Sequence, residues 1–171
     1  MNAKDLLLTR RSVRKFKDKP VPDHVLEKVL EMATYAPTGM GRQAPQLVVV
    51  KDPLIQAQLR KMNAKIMEKD IDPYYGAPLI VLALSPNDVQ TYVEDGACVL
   101  TYLMLAAHEE GLATVWVHRE RQMFASPEGK ALLAKWGIPD KFEGIGSVAL
   151  GYADGDYPKA APRREDYVIT V

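Results

Sequence analysis

The stretch YVEDGACVLTYLMLAAHEE, at residues 92–110, contains the longest helix that the sequence predicts. Its apolar side chains occupy more than one face of the helix, which is typical of a helix buried in a core or between two subunits. Gly111 follows directly, and a glycine in this position commonly ends a helix. We therefore expect this helix at the centre of the fold or at a subunit interface.

The other elements mix strand and helix signals. Apolar or alternating runs predict strands at residues 46–51, 79–85, 114–117, 147–152 and 167–171. Helical spacing and capping residues predict helices at residues 2–9, 23–33, 53–68 and 126–136. Because the two kinds of element do not alternate strictly, their order indicates an α+β fold, and the absence of linkers indicates one domain over residues 1–171.

The composition is that of an ordinary soluble protein, with 47% hydrophobic and 26% charged residues. Lys plus Arg and Asp plus Glu number 22 each, and this zero net charge argues against a general nucleic-acid binder. The single cysteine, Cys98, excludes an intrachain disulfide and a thiolate-rich metal site, and we expect it in the core. Residues 1–14 show no signal peptide, and no run is long enough for a membrane span.

Two basic clusters stand near opposite ends of the chain. The first contains Arg10, Arg11, Ser12 and Arg14. The second contains Lys159, Arg163 and Arg164. Arginine presents a planar fork of donors that suits phosphate, and the charge of a phosphate favours more than one cation. Taken alone, each cluster is more simply a solvated basic surface.

A third candidate is the loop APTGMGRQAP at residues 36–45. Its glycines would let a planar ligand approach the backbone, and Thr38 and Gln43 supply hydrogen-bonding groups. By itself, the stretch is equally compatible with an ordinary connection between a helix and a strand.

Several other chemistries have no motif in this sequence. No Gly-x-Gly-x-x-Gly follows a strand, and no Walker-type loop or nucleophile elbow stands out. His24, His108 and His118 are far apart and lack metal-ligand spacing, so no metal site is predicted. Any chemistry is therefore expected to belong to a bound cofactor.

Together these stretches resemble the flavin nitroreductase family over nearly the whole chain. Residues 10–14 resemble its Arg-(Arg/His)-Ser-x-(Arg/Lys) motif, and residues 36–45 resemble its Ala-Pro-Ser-x-x-Asn-x-Gln-Pro-Trp loop. GLATVW at residues 111–116 resembles Gly-Leu-Gly-Thr-x-Trp, and residues 150–164 resemble the C-terminal signature. The run from Trp116 to Arg119 is similar to that of a subgroup of small bacterial members.

The resemblance implies a nitroreductase-like fold, with a central, mostly antiparallel sheet flanked by helices. It also implies a homodimer that exchanges its C-terminal tails and binds FMN at the interface. The implied phosphate ligands are Arg10, Arg11 and Ser12, together with Arg163 or Arg164. Arg14, and more weakly Asn63, would reach the pyrimidine edge of the flavin. The other subunit would contribute Pro37, Thr38, Gly39 and Gln43.

The backbone of Trp116, Val117 and His118 would lie near flavin N(5), and His118 would either face the substrate or be structural. Two departures from the family pattern fall close to the isoalloxazine ring. Gly41 stands where the family usually has Asn, and Ala44-Pro45 stands where it usually has Pro-Trp. The resemblance therefore leaves the flavin contacts and the substrate range on that side open.

The implied activity is a ping-pong reaction in which NAD(P)H reduces the flavin and a small electron-poor acceptor, such as a nitroaromatic or a quinone, reoxidises it. One alternative is a dehalogenating or flavin-cleaving enzyme on the same scaffold, although the chain has little spare length for the lid of such enzymes. Another is a flavin-binding regulator without turnover. We expect a cytoplasmic protein with no nucleic-acid or membrane partner.

Overall fold

The computed structural model describes residues 1–171 and has helices on both faces of one antiparallel sheet. The elements are α1 (Ala3–Thr9), α2 (Asp23–Ala33), β1 (Gln46–Val50), α3 (Pro53–Met67), β2 (Leu79–Pro86), α4 (Tyr92–Glu109), β3 (Ala113–Val117), α5 (Glu120–Ala125), α6 (Pro127–Lys135) and β4 (Phe142–Gly151). The strand order is β1-β2-β4-β3, and every neighbouring pair is antiparallel. None of the helices is both long and apolar enough to cross a bilayer.

The central strand β2 is buried along its whole length. Successive side chains of a strand point to opposite faces of the sheet, so β2 contributes to two cores. Ile80, Leu82 and Leu84 pack in the core that includes residues of α3, α5 and α6. Leu79, Val81 and Ala83 belong to the core under α2 and α4. Burial on both faces explains why the strand is an unbroken apolar run instead of an alternating one.

Local signals account for where several helices begin. The side chain of Asn2 caps α1 by accepting from the Asp5 amide, and Asp52 caps α3 through the Leu54 amide. Ser126 accepts from the Gly129 amide at the start of α6. Side-chain oxygens of this kind satisfy backbone donors that have no partner within the helix.

The two edge strands of the sheet differ in whether a further segment of the chain pairs with them. Along β3, the N-terminal segment adds a short parallel bridge between Ser12 and Thr114, and the Val13 amide donates to the Thr114 carbonyl at 2.9 Å. The other edge strand, β1, has no neighbour on its outer side. Next to β1 lies an apolar groove lined by Val48, Ile55, Trp136 and Ile138.

The α+β prediction is confirmed, and all five predicted helices and the first three predicted strands are present with small shifts at their ends. Two predictions were wrong, and one helix was missed. Strand β4 begins at Phe142, not at residue 147, and α5 was not predicted at all. Residues 167–171 have no strand partner within the single chain, so their strand, expected on a partner subunit, stays a prediction. Cys98, expected in the core, is only half-buried.

Candidate functional site

The first predicted cluster lies where the N-terminal segment meets β3. Arg10 is half-buried, and its Nη1 atom is fully buried without a hydrogen-bond partner. Burial, and then the neighbouring charge of Arg11, lowers the pKa of the Arg10 guanidinium. The guanidinium of Arg11 donates to the Arg10 carbonyl at 2.7 Å. A buried donor without a partner is costly, so this arrangement fits an anionic ligand that would accept from Arg10.

His108, at the end of α4, joins this cluster to the C-terminal segment. Its Nε2 atom is 2.9 Å from the hydroxyl of Thr9, and its ring centroid is 5.4 Å from that of Tyr157. The Tyr157 hydroxyl donates to the Leu112 carbonyl at 3.2 Å. Burial, and then the charge of Arg10, lowers the pKa of His108. The chain after β4 is therefore fixed beside the first arginine cluster at Tyr157.

The arginines further along this segment do not reach the first cluster within one chain. Arg163 donates to the Ala161 carbonyl, two residues earlier in the chain. Arg164 forms a two-point ion pair with Asp166. Both arginines are exposed, and no hydrogen bond or ion pair connects them with Arg10 or Arg11.

The side chain of Arg14 forms no hydrogen bond and no ion pair. Its guanidinium carbon lies 5.9 Å from the ring centroid of Tyr75, and the side chain is exposed. All five guanidinium donors therefore remain available to a ligand with acceptors in one plane.

The loop after α2 is fixed to α4. The Gly39 amide donates to Asp95 Oδ1 at 2.8 Å, and the Thr91 hydroxyl donates to Asp95 Oδ2 at 3.0 Å. Any Cβ at position 39 would lie 2.2 Å from the Thr91 hydroxyl oxygen, so this close approach requires glycine. The Thr38 hydroxyl accepts from the Gln43 amide at 3.0 Å and holds the loop closed across the short 3₁₀ turn Gly39–Gly41.

A cleft of about 400 Å³ lies beside this loop, and Pro37 belongs to an adjoining depression. Thr38 and Gln43 line the cleft together with Leu47 of β1 and Val99 of α4. Because β1 and α4 are both rigid elements, the loop offers its polar groups over an apolar floor. Such a surface suits the edge of a planar ligand.

At the end of β3 the chain turns sharply into α5. Val117 is buried, Trp116 is half-buried and His118 is exposed. The Asn63 amide donates to the His118 carbonyl at 2.8 Å and accepts from Arg119 Nε at 2.9 Å. Asn63 is itself completely buried, so both ends of its amide support this turn. Arg119 has a left-handed backbone, with φ of 91°.

A carboxyl group lies beneath the same turn. Glu120 is fully buried, and its Oε1 atom accepts from the hydroxyls of Tyr74 at 3.1 Å and Ser147 at 2.5 Å. Its Oε2 atom has no partner. Burial raises the pKa of Glu120 to about 7, although the two hydroxyl donors oppose this effect.

Sequence reasoning missed Asp95, Arg119, Glu120 and Tyr75. Asp95 had no specific signal, because it follows Glu94 in the first turn of α4, where acids are common. Glu120 and Arg119 follow a strand in what looks like an ordinary polar turn. Their contacts are with Asn63, Tyr74 and Ser147, which are distant in sequence, and no local pattern indicates them.

With this geometry established, the comparisons identify the family. The profile of the nitroreductase family matches residues 7–152, a range that begins before the arginine segment and ends after β4. The chain belongs to the nitroreductase family.

Relatives in the nitroreductase family cover almost the whole chain. A solved nitroreductase with bound FMN from Bacteroides fragilis has a TM-score of 0.90, is 26% identical, and is matched over 100% of both chains. A curated protein of Archaeoglobus fulgidus, provisionally named NADH dehydrogenase/NAD(P)H nitroreductase, is 31% identical over 86% of this chain and 83% of its own. An iodotyrosine deiodinase from Thermotoga neapolitana is 24% identical over 94% of this chain and 93% of its own.

We predict that Glu120 makes the stability of the fold pH-dependent. Between its ordinary pKa of 4.5 and the raised value of about 7, the folded protein keeps a proton that the unfolded chain releases. The free energy of unfolding should therefore fall as the pH rises through this window, by on the order of 3 kcal/mol, and should not change further above it. Glu120→Gln should remove this dependence. The free energy of unfolding of the variant, relative to that of the parent, should therefore increase between pH 5 and pH 8.

Urea unfolding at both pH values measures the effect. Glu27→Gln is the control, because Glu27 is exposed and forms no ion pair. Parallel pH curves for the parent and Glu120→Gln would show that the carboxyl ionises alike in the folded and unfolded states.

Proposed function

We propose that this protein is an FMN-dependent oxidoreductase that uses NAD(P)H to reduce small electron-poor acceptors, such as nitroaromatics and quinones, in a ping-pong reaction. The observation that carries the proposal is the buried Nη1 atom of Arg10, a cationic donor without a partner at the segment that resembles the family's phosphate motif. The bound FMN in the Bacteroides fragilis relative supports the choice of ligand.

At the phosphate end, Arg10 and Arg11 would supply charge, and Ser12 would supply a hydroxyl. The bridge between Ser12 and Thr114 fixes the backbone of this segment along β3. A preformed cluster of like charges is unfavourable until an anion compensates it, so part of the binding energy comes from relieving this repulsion. Arg163 or Arg164 would complete the site by exchanging its exposed contacts for the phosphate.

At the ring end, the free fork of Arg14 would contact the pyrimidine edge. Bound FMN would supply hydride and electron transfer between NAD(P)H and the acceptor, and Arg14 would face the edge on which reduction places negative charge. A fixed guanidinium favours this charge because it needs no reorganisation as the charge develops. Asn63 would act indirectly, by holding the backbone of Trp116, Val117 and His118 through its contacts with His118 and Arg119.

We further propose that the active form is a homodimer with exchanged tails. The tail residues Tyr167, Val168, Ile169 and Val171 are between 79% and 117% exposed in the single chain. The outer side of β1 offers unpaired backbone groups next to the apolar groove defined above, which suits the addition of an extended segment. Tyr102, which is 40% exposed on α4, extends the apolar surface elsewhere. The partner's Pro37, Thr38, Gly39 and Gln43 would then complete each flavin site.

Dehalogenation is the second candidate, and the Thermotoga neapolitana iodotyrosine deiodinase is the observation that favours it. A flavin-binding regulator would share the same ligands but would not turn over. His118 is exposed at the turn after β3, where it could meet a substrate in either enzyme.

The single half-buried cysteine fits a reducing cytoplasm.

The purified protein should be yellow and should release FMN on denaturation. Mixed with NADH or NADPH under anaerobic conditions, it should lose its oxidised flavin absorbance, and a nitroaromatic or quinone should then sustain NAD(P)H oxidation. Reduction without turnover would indicate the regulator, and iodide release from 3-iodotyrosine would indicate the deiodinase. A protein that neither contains nor takes up FMN would overturn the proposal.

Arg10→Ala or Arg11→Ala should weaken FMN binding about ten- to a hundredfold, which is the value of one charge-assisted contact. Riboflavin lacks the phosphate, so its affinity should hardly change. Lys4→Ala removes an exposed charge from the neighbouring helix and serves as the control. Fluorescence titration measures all of these affinities. The double variant Arg163→Ala/Arg164→Ala tests the C-terminal cluster, and unchanged FMN affinity would exclude that cluster from the site.

We predict that substitutions on the two faces of the tail will affect the dimer differently. Alternate residues of a strand share a face, so Ile169 lies with Tyr167 and Val171, whereas Thr170 lies opposite. Ile169→Asp should weaken the dimer about tenfold or more, because it places a charge where an apolar side chain would be buried. The matched Thr170→Asp should have little effect. Light scattering over a dilution series provides the measurement, and a flavin-loaded parent monomer would contradict the exchanged-tail dimer.

A further inference from the structure

The turn before β2 places two adjacent tyrosines in opposite environments. Tyr74 is completely buried and donates to Glu120, whereas Tyr75 is 39% exposed. Tyr75 has a left-handed backbone with φ of 57°, which is unfavourable for a bulky side chain. Strain of this kind persists only where the surrounding contacts enforce it, and it is concentrated at functional sites.

Asp72 enforces this conformation. Its carboxylate accepts from the Tyr74 amide at 2.9 Å and from the Gly76 amide at 2.6 Å, and it also pairs with the Arg60 guanidinium. Arg60 in turn donates to the Ala77 carbonyl at 2.7 Å. The backbone on both sides of Tyr75 is thus fixed, which sets the direction in which its side chain leaves the chain.

That direction brings the Tyr75 ring to Arg14. The guanidinium carbon lies 5.9 Å from the ring centroid, within the roughly 6 Å over which a cation is attracted to an aromatic face. An ion pair or a hydrogen bond would also orient Arg14, but either would occupy one or more of its donors. Contact with a ring face orients the guanidinium and leaves every donor free.

We propose that Tyr75 is a positioning residue that directs the Arg14 guanidinium toward the pyrimidine edge of the flavin. This inference rests on the proposed function, because it assumes that Arg14 contacts bound FMN. It assigns a role to the strained turn at residues 72–76, and it makes the redox behaviour of the flavin depend on a side chain that need not touch it.

The test is a set of variants whose effects on folding and on positioning differ. Tyr75→Phe keeps the ring, so the flavin midpoint potential should stay at the parent value. Tyr75→Gly removes the ring but adopts a positive φ without strain, which offsets part of the lost packing, so the variant should remain folded and bind FMN. Its flavin should nevertheless be harder to reduce, with the two-electron equilibrium about three- to tenfold less favourable, where tenfold corresponds to about 30 mV.

A double-mutant cycle identifies the route of the effect. If Tyr75 acts through Arg14, then Tyr75→Gly should shift the potential in the parent but not in an Arg14→Ala background. In the flavin-free protein, the Arg14 side-chain protons should show a ring-current shift in NMR spectra that Tyr75→Phe retains and Tyr75→Gly abolishes.

Equal midpoint potentials for the parent and Tyr75→Gly would overturn the inference, as would the same shift in both backgrounds. A change confined to the KM of the acceptor would also overturn it, since Tyr75 would then be a substrate contact. Failure of the parent to bind FMN would overturn the proposed function and this inference together, whereas the other outcomes require bound flavin and leave the proposed function intact.

Discussion

The pairing of β2 with β4, buried on both faces by helices, is the constraint on which the rest of the structure depends. A sheet covered in this way can bind further chain only along its two edges. The chain's own N-terminal segment lies along β3 and brings Arg10 to Arg14 to that side through the bridge between Ser12 and Thr114. The edge at β1 stays open. The candidate cofactor site and the candidate dimer contact thus follow from one architectural fact, because each uses one edge of the same sheet.

The electrostatics of the site are local, since the whole chain has no net charge. Arg10 and Arg11 stand together without a carboxylate, and their charges add to the effect of burial in lowering the pKa of His108. The Arg164–Asp166 pair differs, because it is exposed and joins near neighbours in the chain. Exposed pairs contribute little to stability, so exchanging this one for a phosphate would cost little. Arg10 and Arg11 would bind the phosphate first. Arg164 would then leave Asp166 for the phosphate, and this exchange would position the tail.

Sequence reasoning succeeded wherever a local pattern determines the structure. Pro53 at the start of α3, the capping Ser126 of α6 and the uniform apolar character of β2 identified those elements. The arginine segment and the Thr38 loop stay predictions of two parts of the candidate site. Sequence reasoning failed where the cause is distant. Gly144 and Gly146 concealed the first half of β4, yet a Cβ at Gly144 would collide with the backbone of Glu120, and one at Gly146 with the Trp116 ring. Helix α5 is short and depends on its packing against β4. The strand pattern of the tail stays a prediction, because a strand needs a partner, and one chain does not supply it.

Backbone strain links the separate parts of the site. Five residues other than glycine have positive φ, and one of them, Glu68, simply ends α3. The other four are Met40, Gln43, Tyr75 and Arg119, which lie in the three loops assigned to the candidate site. Three of the four are braced by a polar contact: Gln43 by Thr38, Arg119 by Asn63, and the turn around Tyr75 by Asp72. Met40 instead receives only a weak contact from Arg42 to its sulfur, and it is 88% exposed. It also precedes Gly41, one of the three positions where the chain departs from the family motif, and Gly41 too has a positive φ. The least constrained part of the candidate site therefore adjoins a position where the sequence departs from the family motif.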